Sequence, residues 1–147
     1  MHEPVAVFVY GTLKQGGRNF PVAQRAGWVK AVGGWLEGFD LFDMPRQSQR
    51  PYAYPSIVPG VGRVFGEIQW FRDLDQACVL LDELEDEGGE YFRVIATAYT
   101  GDLEDHGWEV HDQYTVWVYV YRNLQSVLEA GGIAQPEGVW QEEVLEG

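Results

Sequence analysis

Val5-Ala6-Val7-Phe8-Val9-Tyr10, broken at once by Gly11-Thr12-Leu13, decides how the rest of this chain is read. Six consecutive β-branched, aromatic or Ala residues with no polar alternation describe a strand buried on both faces. A glycine at its end lets a ligand approach the main chain closely. The amides of Gly11, Thr12 and Leu13 can then bind a carboxylate or a developing oxyanion. The alternative is an ordinary strand-to-loop glycine, and four residues alone do not decide between the two.

Outward from that strand, a short helix is expected around Asn19–Gln24, with Asn19 as cap and Pro21 in its first turn. Trp28–Gly38 alternates weakly and predicts a second strand. Met44–Pro59 carries Pro45, Pro51, Pro55 and Pro59, so it reads as loop with at most a short strand at Ser56–Val58. Val64–Phe71 alternates well and predicts a strand. Leu74–Glu85 is the one clear helix. Tyr91–Tyr99 and Thr115–Tyr121 are strands separated by an acidic turn, Gly101–Gly107. The Gly- and Glu-rich tail Gly131–Gly147 is poorly specified, although Val139-Trp140 can dock. These elements describe one mixed α+β domain over residues 1–147, a small, mostly antiparallel barrel or curled sheet of undetermined strand order.

The chain has 147 residues, of which 46% are apolar and 14% aromatic, enough for a real core. A formal charge of −13 argues against nucleic acid and against anionic membrane surfaces. Cys78 is the only cysteine, which excludes an intrachain disulfide and fits a reducing, cytoplasmic setting. The N-terminal apolar run is too short for a signal or a membrane span. Oligomeric state is open.

At about 100° per residue, Leu74, Cys78, Leu81 and Glu85 share one helical face, with Glu85 only roughly 20° from Leu74. By the same arithmetic Glu83 points roughly 180° away, and Asp86 and Glu87 roughly 120° and 140° off the stripe. Glu85 is therefore the acid of the Asp82–Glu87 cluster expected to face inward. Burial, and the negative end of the helix dipole just before Gly88-Gly89, both raise a carboxyl pKa toward neutrality. There a carboxyl serves as both proton acceptor and donor. The alternative is a helix-end Glu that bends outward or pairs with Arg93.

Several segments together resemble the γ-glutamylcyclotransferase-like (AIG2-like) family. Val7-Phe8-Val9-Tyr10-Gly11-Thr12-Leu13, with Gly16 and Asn19, resembles its opening signature. Tyr54-Pro55 and Val64-Phe65-Gly66-Glu67-Ile68 are similar to its middle segment. Leu81-Asp82-Glu83-Leu84-Glu85-Asp86 with Tyr91-Phe92-Arg93 is similar to its helix end. Tyr119-Val120-Tyr121 and Gly138-Val139-Trp140 resemble its closing strand and tail. The resemblance implies an α+β fold, a small, mostly antiparallel β-barrel flanked by short helices, with a cavity between the YGTL loop and the acidic helix end. It implies release of 5-oxoproline from a small γ-glutamyl amine or γ-glutamyl amino acid, with no metal or cofactor. It places the catalytic acid at Glu85 and the substrate-binding loop at Tyr10, Gly11, Thr12 and Leu13. Departures are Leu84, where an aromatic is frequent, Asp86, where Gly is frequent, and a longer Met44–Gln49 segment.

The corresponding chemistry is intramolecular. The α-amine of a γ-glutamyl group attacks its own γ-carbonyl, and orientation supplies much of the acceleration. Glu85 takes the ammonium proton and returns it to the departing amine, while loop amides hold the α-carboxylate or the oxyanion. Tyr121, or else Tyr119, donates a hydrogen bond across the cavity. A related enzyme would remove a γ-glutamyl protecting group from a biosynthetic intermediate. The competing readings are a barrel that binds a small metabolite or a protein and has lost turnover, and a purely structural domain.

Other candidates are weaker. His106 and His111 lack two further metal ligands at suitable spacing, and Asp82–Glu90 lacks the spacing of a calcium loop. Cys78 lies on the apolar helix face as a packing residue. Arg93 is expected to be an ion-pair partner, and Tyr91 to pack in the barrel.

Overall fold

A computed structural model describes residues 3–46, 52–85, 91–104 and 107–141. The elements are β1 (Ala6–Val9), α1 (Phe20–Arg25), β2 (Trp28–Met44), β3 (Tyr54–Phe71), α2 (Leu74–Glu85), β4 (Tyr91–Glu104), β5 (Gly107–Tyr121), α3 (Leu124–Glu129) and β6 (Ile133–Ala134). The sheet order β3-β1-β5-β4-β2 closes through a β2–β3 pairing, and β6 joins the edge of β2. The result is a five-stranded barrel, antiparallel except where β1 runs parallel to β5, with Ala6 opposite Val116.

β1 shows why its sequence does not alternate. Val7 and Val9 pack with Ala23 of α1, Cys78 and Leu81 of α2 and Val127 of α3. Ala6, Phe8 and Tyr10 pack on the opposite face with Leu36, Ile68 and Val118. Both faces are buried, so each position of the strand is apolar. Helix α2 begins at Leu74 as expected and runs through Glu85. Asp73 caps it by accepting from the Gln76 N–H at 3.1 Å, and Ala77, Cys78 and Leu81 are its buried residues.

Three expectations are corrected. The proline-rich stretch is not loop up to residue 59, because β3 begins at Tyr54 and carries both Pro55 and Pro59. Residues 54–59 pair with β2, whereas β1 pairs with β3 only from Glu67 to Gln69. Proline is tolerated at such an edge, where a missing N–H costs no ladder bond when it faces outward. Pro59 also sits at a register shift opposite Phe39. The acidic turn expected at Gly101–Gly107 is mostly strand, since β4 continues to Glu104 and β5 starts at Gly107. Gly101 marks a bulge there, and a Cβ on it would strike the Glu109 carbonyl.

The tail departs from its poorly specified reading. It forms β6, which pairs with β2 at Phe42 and Asp43, and then docks Trp140 at 2% exposure. The indole N–H of Trp140 donates to Asp43 at 2.8 Å. α3 had no periodic signature because it spans under two turns. Its signal is Asn123, whose side chain accepts from the Ser126 N–H at 2.8 Å.

Candidate active site

The loop after β1 is held by β3 and by the residue before α1. Gln69, fully buried, donates to the Leu13 carbonyl at 3.0 Å. Glu67 accepts from the Gln15 N–H at 2.9 Å and from Gln69 at 3.1 Å. Asn19 donates twice to Thr12, from its main chain to the carbonyl and from its side chain to Oγ1, each at 2.9 Å. This corrects the capping role expected of Asn19: it precedes α1, but its side chain makes no cap bond. The amide that would have closed the helix closes the loop instead.

The loop carbonyls are therefore engaged, with Gly11 O accepting from Lys14 N–H at 3.1 Å. Among the described residues, none accepts from the main-chain N–H of Gly11, Thr12 or Leu13. Unsatisfied amides in buried residues mark a place where a ligand or water must donate electron pairs. The reason for glycine at position 11 differs from the sequence reading. A Cβ there would collide with the Pro55 ring, so Gly11 is required by β3 packing against the loop.

These residues line a cavity of about 250 Å³. Tyr10, Gly11, Thr12 and Leu13 form one wall, and Leu84 and Glu85 from the end of α2 form another. Glu85, the acid that the helical arithmetic turned inward, is partly buried and shares the hollow with the loop. Arg93 is not its counter-ion in the manner considered from sequence. The guanidinium Nε lies 3.0 Å from Asp82 Oδ1, one turn earlier on α2, and stacks 4.3 Å from the Trp117 ring. The Gly88-Gly89 helix stop, Asp86, Glu87, Glu90 and His106 lie outside the described residues.

The tyrosine of β5 that lines the cavity is Tyr119, not Tyr121. Tyr121 stands two residues along on the same strand face, edge-on to Tyr91 at 5.3 Å between centroids. Tyr119 donates to Asp82 Oδ1 at 2.6 Å and accepts, through its main-chain carbonyl, the hydroxyl proton of Tyr10 at 2.6 Å. Burial, and then the Asp82 carboxylate, push its phenol well above the ordinary value, so it stays protonated. Asn19, Tyr52, Tyr54 and Tyr91 complete most of the polar lining. Tyr91 packs as expected, but its hydroxyl also donates to the Pro55 carbonyl at 2.7 Å, bracing the strand against Gly11.

Tyr52 and Tyr54 were missed because the prolines around them read as loop, and Gln69 because a lone Gln in a strand carries no motif. Cys78 is buried against the barrel, and burial pushes its thiol up, which suits packing rather than nucleophilic attack. His111 lies 3.4 Å from Asp102 on the exposed β4–β5 hairpin.

The chain that builds this cavity is matched over most of its length by a family model. That model, gamma-glutamyl cyclotransferase, AIG2-like, covers residues 7–142. The chain belongs to this family. The γ-glutamylcyclotransferase family protein YtfP of Escherichia coli is 31% identical over 120 residues, covering 79% of this chain and 81% of its own. An AIG2-like protein from Mus musculus superposes with a TM-score of 0.68 at 23% identity over 99% of both chains. Kluyveromyces lactis allophanate hydrolase contains a similar fold in 20% of its length, with a TM-score of 0.63 at 11% identity over 92% of this chain. The last two likenesses bear on the fold alone, and the second sits inside a larger enzyme, so the fold by itself does not select a reaction. In this member of the γ-glutamylcyclotransferase family, the departure at Leu84 falls on the cavity wall. Among the described residues no helix is long and apolar enough to cross a membrane.

Proposed function

We propose that this chain is a γ-glutamyl cyclotransferase-type enzyme that releases 5-oxoproline from a small γ-glutamyl amine or γ-glutamyl amino acid. The observation that carries the reading is the shared hollow of Glu85 and the Gly11–Leu13 amides. At about 250 Å³ the cavity lies just below the usual size of ligand clefts, roughly 300–1,000 Å³, and suits a group as small as a γ-glutamyl head. Its lone lining carboxylate among the described residues is Glu85.

In the proposed reaction the substrate folds back so that its α-amine meets its γ-carbonyl. Glu85 takes one proton from the ammonium so that the free amine attacks and the N–C bond forms. The amide C–N bond breaks as Glu85 passes that proton to the leaving nitrogen, and the second proton follows by the same relay, leaving a neutral lactam and a departing ammonium. Amides of the loop bind the α-carboxylate or the tetrahedral oxyanion, a role in which each well-placed donor contributes about 10²–10³ in rate. Glu85 is partly buried at the C-terminal end of α2 and serves as both general base and general acid. The reaction calls for no cofactor, and the single buried Cys78 fits a cytosolic protein.

The test is a screen of γ-glutamyl amines and γ-glutamyl amino acids for 5-oxoproline release, repeated with Glu85→Gln on whichever compound is turned over. Loss of about 10²–10⁴ in kcat with the fold intact is expected. Full turnover by the variant would remove Glu85 from the mechanism. Binding without any turnover by the natural chain would instead favour a barrel that has kept its ligand and lost the reaction.

A further inference from the structure

We propose that Tyr119 is the hydrogen-bond acceptor for the α-ammonium of the γ-glutamyl substrate, held in that role by Asp82. The inference rests on the cyclisation reading above and assigns the binding end of the reacting amine.

A tyrosine hydroxyl has one proton and two acceptor lone pairs. In Tyr119 that proton goes to Asp82 Oδ1 over 2.6 Å, a short bond to a carboxylate. Asp82 is itself held in place. Arg93 reaches Oδ1 with Nε at 3.0 Å and Oδ2 with a terminal nitrogen at 3.3 Å, and the guanidinium sits over the Trp117 ring, 4.3 Å from its centroid. The other end of Tyr119 is fixed by the Tyr10 hydroxyl on its carbonyl. Reorienting the phenol proton toward the cavity would forfeit the shortest bond of this network and leave two oxygen atoms 2.6 Å apart with no proton between them. What Tyr119 offers a ligand is therefore lone-pair density, the reverse of the donor role that the sequence suggests for a tyrosine of this strand.

A γ-glutamyl head group has two acceptors, its α-carboxylate and γ-carbonyl, and one charged donor, its α-ammonium. The cavity is the complement of that set. The N–H groups of Gly11, Thr12 and Leu13 are the donors, and Tyr119 Oη and Glu85 are the acceptors. The Asp82 charge behind Tyr119 polarises the hydroxyl and favours a cation in front of it. Asp82 thus acts through Tyr119 as a positioning residue, and it lies one helical turn from Glu85, so α2 brings both to the same amine.

The experiment compares the natural chain with Tyr119→Phe, Asp82→Asn and the double variant on a γ-glutamyl substrate. Each is also inhibited by the same compound with its α-amine replaced by hydrogen. Expected is a rise of about tenfold in KM for Tyr119→Phe, with the inhibition constant of the desamino compound unchanged. Asp82→Asn should act in the same direction, and the double variant should be no worse than Tyr119→Phe, because both remove one interaction. A KM and an inhibition constant that rise together would mean a merely structural role and overturn the proposal. So would effects of the two substitutions that multiply. Absence of turnover on every γ-glutamyl compound by the natural chain overturns the cyclisation reading itself, a result distinct from the other two.

Discussion

Replacing Gly11 by alanine separates two explanations of the same residue. If glycine is needed so that a ligand can approach the backbone, Gly11→Ala harms binding and leaves the fold alone. The structure argues otherwise. A Cβ at position 11 would lie 3.0 Å from Cδ of Pro55 and closer still to Cγ, atoms of a rigid ring in a buried strand. Gly11 is not among the glycines with positive φ, so backbone strain does not enter. Overpacking costs about 1–3 kcal/mol, while Gly→Ala restricts the unfolded chain and returns about 0.4–1 kcal/mol. The net loss is about 1–2 kcal/mol. For a chain of this size that lowers Tm by about 2–8 °C. Displacement of the loop by an ångström should reduce turnover further, by up to about 10²-fold.

Thermal and urea unfolding of Gly11→Ala, Pro55→Ala and the double variant form the assay. Removing the proline ring makes room for the added methyl, so the double variant should recover about 1 kcal/mol relative to the sum of the single effects. Strictly additive losses, or a Gly11→Ala protein as stable as the parent, would refute the packing argument and restore the ligand-approach explanation.

Tyr91→Phe should cost about 1–3 kcal/mol with an unchanged urea m-value, since it strips the donor from the buried Pro55 carbonyl and the acceptor from the Ser56 hydroxyl 3.0 Å away. Trp140→Ala should lose about 3–5 kcal/mol, because the indole is 2% exposed and bonded to Asp43; a loss near zero would mean that the tail is not part of the cooperative fold. Both Cys78 and Tyr119 have acid groups raised in the folded state, so the fold binds their protons more tightly than the unfolded chain does. Their contribution is complete below the unfolded values, about 8.5 and 10, and is lost as pH climbs above them. The urea midpoint should therefore fall between pH 8 and 10.5, and Cys78→Ala should flatten the lower part of that fall. Native Cys78 should also resist alkylation at pH 8 and react once the chain is unfolded.

The features legible in the sequence are the local ones. An unbroken apolar run needs two buried faces, which made Ala6–Val9 a central strand. Helical periodicity bounded Leu74–Glu85 and turned Glu85 toward the same side as Cys78 and Leu81. The order of motifs along the chain pointed to the right family. Whatever depends on partners distant in sequence became visible once the chain was folded. The folded structure showed Pro55 as the reason for Gly11, Gln69 and Asn19 as the supports of the loop, and Asp82 as the acceptor of the Tyr119 proton. It also put Tyr119 on the cavity wall in place of Tyr121, a choice of one side chain among two on the same face of one strand. Periodicity fixes a face, but depth along that face comes from register against β1 and β4 and from where α2 lands on the barrel. None of these is written in the spacing of β5 itself.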